Sequence, residues 1–147
     1  MAVYYKLYQE KREGAKYENK WYARAKSTGQ VTLRELAKTI ETNVSVKESD
    51  VYAVLIEMVN AMRNELLNSH SVKVDRLGIF SVGMSTAPAE SAAAFTANAN
   101  VRGLHINFLP EQLYLSGTGK GKRPTTTLLA GAKVRELPKN DVDTSKP

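Results

Sequence analysis

The 147-residue chain contains no cysteine, which excludes a disulfide framework, a thiolate metal site and a cysteine nucleophile. No run approaches the roughly 18 consecutive apolar residues that a membrane-spanning helix requires. The opening segment MAVYYKLYQEKREG lacks an apolar core stretch, so it does not read as a signal peptide. The two histidines, His70 and His105, stand apart with no carboxylates at ligand spacing, so neither a metal nor a cofactor is expected. No G-x-S-x-G elbow and no paired-carboxylate motif occurs, and no enzyme is expected. The segment GTGKGKRPTT is rich in glycine and lysine but holds no Gly-Lys-Ser/Thr. It therefore reads as a cationic tail rather than a phosphate loop.

What the chain has is positive charge, net +6, and the charge is unevenly placed. Residues 1–31 carry seven Lys/Arg against three Glu, and residues 116–147 seven against three acids. Residues 32–115 carry seven against nine. Basic ends suit a nucleic acid, an anionic surface or an acidic protein, and they also simply keep a protein soluble.

VYYKLY (3–8) and KWYARAK (20–26) are aromatic and β-branched around a polar centre, which predicts a β-hairpin with a long loop. Its aromatics beside Lys6, Lys20, Arg24 and Lys26 fit a nucleic-acid surface. They fit equally the cross-strand pairs that hold a small sheet together, and this is the commoner use. Thr32-Leu-Arg-Glu35 forms a capping box, followed by Leu33, Leu36, Ala37 and Ile40 on one helical face. Ser45-Val-Lys-Glu48 reads as a second box, opening a helix of about 20 residues that ends near 68–69. Val51, Leu55, Met58, Met62 and Leu66 run down this helix, flanked by Val54 and Val59. Two helices joined by a short link form a helical hairpin. The second has more apolar surface than the first can cover, so a sheet or a second subunit must pack on it.

SVKV and IFSVGM read as strands joined at Asp75-Arg76-Leu77-Gly78, where the glycine permits a conformation other residues resist. PAESAAAF predicts a short helix with Pro88 in its first turn, VRGLHINFL (101–109) a returning strand, and PEQLYL (110–115) a short helix opening at Pro110. Most of residues 116–147 is expected to be flexible, with TLLAGAKVREL available as a strand or helix on a partner.

The order of a capped helix, a short link, a long helix, Val72-Lys73-Val74, the Gly78-x-Phe80 corner, strand, insertion, strand and Phe108-Leu-Pro110 resembles the HU/IHF family of bacterial histone-like DNA-binding proteins. The likeness covers roughly residues 32–115. The hairpin before it and the glycine-rich segment after it are similar to the HU-related proteins of Bacteroides-like bacteria. The resemblance implies an α+β fold: a helical hairpin under an antiparallel sheet (32–115), an added N-terminal β-hairpin (1–31) and a flexible basic tail (116–147). It implies a homodimer in the nucleoid of the cytoplasm, binding double-stranded DNA without sequence preference, with no membrane and no small-molecule substrate. Lys73, Arg76 and Arg102 on the body, Lys20 and Arg24 on the hairpin, and Lys120, Lys122 and Arg123 on the tail become the candidate phosphate contacts. The chain departs from DNA-bending members in having a nearly uncharged 84–103 segment, with only Glu90 and Arg102, and no wedge role passes to Pro88. Leu109 and Gln112 stand where the family often has lysine. A protein-interaction scaffold on the same fold is the alternative.

Overall fold

Alternating, aromatic-rich residues form the first strand of the computed structural model, which describes residues 1–14, 16–113 and 125–138. The chain divides into two units, Met1–Thr32 with Gly131–Pro147, and Leu33–Ala130.

In the first unit, β1 (Ala2–Gln9) pairs antiparallel with β2 (Trp21–Ala25), with Tyr8 opposite Tyr22 and Lys6 opposite Arg24. The loop end is closed by the Glu10 amide donating to the Lys20 carbonyl at 2.9 Å and by Asn19 in positive φ. The predicted hairpin is present, but it is two strands of three. Lys133–Glu136 forms β8, parallel to β1, with Val3 opposite Val134 and Tyr4 opposite Arg135. The expectation that this segment belongs to a flexible tail or lies on a partner is therefore corrected. The open edge of β1 offers a row of unpaired backbone groups, and a β-branched segment of the same chain satisfies them.

In the second unit, α1 (Leu33–Glu41) starts directly after Thr32 and buries Ala37. The link folds back on α1, with the amides of Asn43 and Val44 both donating to the Ile40 carbonyl. The second helix, α2 (Glu48–Leu67), consequently begins later than the Ser45 capping box predicts. Lys47 stands at its N-cap in extended conformation, with no side-chain cap. With 43–44 committed to closing α1, too few residues remain to reverse the chain if α2 started at Val46. Arg34 bridges the helices, 3.7 Å from Glu48 Oε1 and over the Tyr52 ring at 5.4 Å. Helix α2 stops as the sequence predicts, in a Schellman turn. Ser69 takes φ of 65° and donates to Leu66, while the His70 amide donates to the Glu65 carbonyl.

A three-stranded antiparallel sheet follows, in the order β3 (Val72–Val74), β4 (Gly78–Thr86), β5 (Val101–Pro110). The predicted helix at Pro88–Phe95 does not form. Ser91 caps a single 3₁₀ turn at Ala92–Ala94, and Thr96 caps the one-turn α3, Ala97–Asn100. Hydroxyls and amides in this stretch compete for backbone groups and break a continuous helix. Asn100 is the clip: buried to 8% exposure, it accepts from the Thr96 amide at 3.0 Å and donates to the carbonyls of Ala87 and Pro88. Nor does Pro110 open a helix. It ends β5, an edge strand, where its missing N–H breaks no ladder. Gln112–Leu113 (β6) instead pairs with Thr125–Thr126 (β7).

Candidate nucleic-acid interface

Strand alternation sorts the β3–β4–β5 side chains onto two faces. One carries Val72, Phe80, Val82, Met84, Leu104, Ile106 and Phe108, with Phe80 and Phe108 ring centroids 4.7 Å apart. These apolar residues, together with Met58, Met62 and Leu66 of α2, line an open cavity of 570 Å³. Much of this surface stays exposed, Ile106 at 57% and Leu104 at 62%. The other face carries Lys73, Ser81, Gly83, Ser85, His105 and Asn107, interrupted by Ile79 and Leu109.

The corner that joins β3 to β4 is strained at a cation. The Leu77 amide donates to the Val74 carbonyl at 3.1 Å, closing a four-residue turn, and Arg76 sits third in it with φ of 68°. Glycine normally takes that position. Exposed Arg76 is thus held on a rigid turn next to exposed Lys73, whose Nζ lies 3.4 Å from Asp75 Oδ1. Asp75 is 86% exposed and Lys73 60%, so this pair is screened and yields readily to a stronger anion. Arg102 is exposed on β5 at the register shift opposite Ser85–Thr86.

Of the predicted site residues, Lys73 and Arg76 share the corner. Arg102 lies toward the far end of the same sheet. Lys20 and Arg24 belong to the other unit, and Lys120, Lys122 and Arg123 fall outside the described residues. The described residues of the first unit carry nine Lys/Arg against four Glu, and those of the second seven against nine acids. The positive surface is therefore concentrated on the three-stranded sheet of the first unit. Lys133 and Arg135 contribute to it and were not legible as site residues, because only pairing with β1 brings them there.

On that sheet Glu10 is bound by Arg12, through Nη2 at 2.7 Å and Nε at 2.9 Å. The Arg12 side chain, then its amide, hold the Glu10 carboxyl down at about 2, against a usual 4.5. A lowered folded-state value stabilises above the unfolded pKa, and that stabilisation is lost as pH falls toward 2. Carbon-detected NMR titration should place the Glu10 carboxyl midpoint near 2 and, in Arg12→Ala, return it toward 4.5.

Among the described residues no three side chains of the metal-binding kind (His, Cys, Asp or Glu) come together. No helix among them is long and apolar enough to cross a membrane.

The family described as an HU domain fused to wHTH, Ig or a glycine-rich motif matches residues 1–122. No curated protein matches the sequence. Among solved structures, the chain is similar to a proposed bacterial DNA-binding protein from Bacteroides vulgatus ATCC 8482, with a TM-score of 0.55 and 12% identity. The similarity covers 74% of this chain and 41% of that one, so the chain spans about two fifths of that protein's length. At this identity the likeness shows the fold alone.

Proposed function

Because the chain belongs to the family of HU domains fused to wHTH, Ig or glycine-rich motifs, we propose that it is a non-enzymatic protein that binds double-stranded DNA without sequence preference, as a homodimer. The name of the Bacteroides vulgatus protein supports the same reading. In it, α1 and α2 form the helical hairpin beneath the β3–β4–β5 sheet, and the cavity-lining apolar face receives a second copy. Phosphate contacts supply the affinity, and base edges are not read.

The observation that carries the proposal is the Lys73–Arg76 corner: two exposed cations on the strained turn that starts β4. A residue held in positive φ away from glycine marks a position retained for its side chain. The runner-up, a protein-interaction scaffold, draws on the excess of acids over Lys/Arg among the described residues of the second unit.

The test is the double variant Lys73→Gln, Arg76→Gly. Glycine relaxes the turn, so lost binding cannot be blamed on lost folding. Duplex affinity should fall about tenfold or more, and the slope of log affinity against log salt should shrink by about 0.9 for each contact removed. Unchanged affinity and slope would remove these residues from the interface and favour the scaffold.

A further inference from the structure

The first unit's sheet presents a second, chemically different surface. Register places Tyr4, Lys6 and Tyr8 of β1 on the same face as Tyr22 and Arg24 of β2 and Lys133 and Arg135 of β8. The side-chain geometry agrees. The Tyr8 and Tyr22 rings lie 5.7 Å apart, and the Arg24 guanidinium covers Tyr8 at 4.0 Å from its centroid. Lys26, whose amide donates to the Tyr4 carbonyl at 2.8 Å, continues the row. Arg24, Lys133 and Arg135 are exposed and the three tyrosines half-exposed. The acid that extends this face, Glu10, is already neutralised by Arg12 at 2.7 Å. The opposite face is apolar, with Val3, Tyr5, Leu7, Ala23 and Val134.

Rings flat on a sheet and flanked by cations suit a partner that is anionic at regular intervals and has free aromatic faces. Duplex DNA has the charge, but its base faces are stacked inside. A single strand has both. Arg24 is already stacked on Tyr8 and offers its outer guanidinium face to a base, as arginine planes do.

We propose that this tyrosine–arginine face binds single-stranded DNA, with Tyr4, Tyr22 and Arg24 stacking bases and Lys133 and Arg135 holding phosphates. The choice of DNA over RNA rests on the DNA-binding reading above. The binding surface itself is separate from the Lys73–Arg76 corner.

The experiment uses the full chain, a fluorescent 20-nucleotide oligo-dT, the matching oligo-rU and a 30-base-pair duplex. Wild type should bind oligo-dT. Arg24→Gln with Arg135→Gln should weaken that binding at least tenfold and reduce its salt slope by about 1.4, at 0.7 per single-strand contact. Tyr4→Leu should weaken it roughly 5- to 150-fold, the range for one stacked base, and Tyr4→Phe should restore it. Val134→Thr on the opposite face should leave it unchanged, with circular dichroism checking that every variant folds.

Oligo-dT binding that survives both the arginine pair and Tyr4→Leu would overturn the proposal, as would preference for oligo-rU. Duplex binding without oligo-dT binding overturns this inference and leaves the DNA reading of the corner intact. Oligo-dT binding lost in the face variants, with no duplex binding at all, supports this inference and sinks the reading of the corner.

Discussion

Ile106→Asp should convert the protein from a dimer, with twice the 16.2 kDa chain mass, to a monomer by light scattering. Ile106 is opposite Val82 on the apolar face, between Leu104 and Phe108, and lines the cavity with Met58, Met62 and Leu66. In the single chain it is 57% exposed, Phe108 44% and Met58 41%. Covering such a side chain contributes about 1.5–3 kcal/mol, so several of them outweigh the cost of association. An aspartate there would have to enter an apolar interface unpaired, at a cost of several kcal/mol, and twofold symmetry applies that cost twice. The thermal midpoint of wild type should rise with concentration, as it does for any dimer whose folding and association are coupled. The variant should lose that dependence. A wild-type mass of 16.2 kDa with a concentration-independent midpoint would contradict the homodimer.

Gly78→Ala should be the most destabilising single-methyl change in the second unit, at about 3–5 kcal/mol. Gly78 has φ of 150°, and an added Cβ would run into the Leu109 carbonyl oxygen. It would also lie 2.9 Å from both the Phe108 ring and Pro110 Cα. Two of these three are backbone, and the ladder pairing Gly78 with Pro110 and Ile79 with Leu109 fixes them. Gly83, five residues along the same strand, provides the control. A Cβ there would meet the side-chain ends of His105 and Asn107, which can rotate away. Gly83→Ala should therefore cost only about 1 kcal/mol. Urea midpoints of the two variants measure the difference directly, and equal losses would show that β5 yields at Pro110.

Local signals were readable where local physics decides the outcome. The long apolar stripe of α2, its end near Ser69, the aromatic hairpin and the Gly78 corner all rest on residues a few positions apart. Three features were not readable. PAESAAAF has helical composition, but Ser91, Thr96 and Asn100 take the backbone groups a helix would need. Pro110 is compatible with either a helix start or an edge strand, and only the β4–β5 register decides between them. The third is β8, which joins β1 from the far end of the chain, and no short-range pattern announces such a pairing. The candidate site divides in the same way. Lys73 and Arg76 could be picked out from a motif, though not the strain at Arg76. Lys133 and Arg135 become neighbours of the hairpin tyrosines only through tertiary pairing.

The most direct test of the account is a titration of the full-length protein into a fluorescent duplex of about 30 base pairs, followed by anisotropy from low to moderate salt. Phosphate-driven binding predicts clear association at low salt and a steep linear fall of log affinity with log salt, about 0.9 per contact, whatever the duplex sequence. Absence of binding at low salt, or binding that salt leaves unchanged, would contradict it.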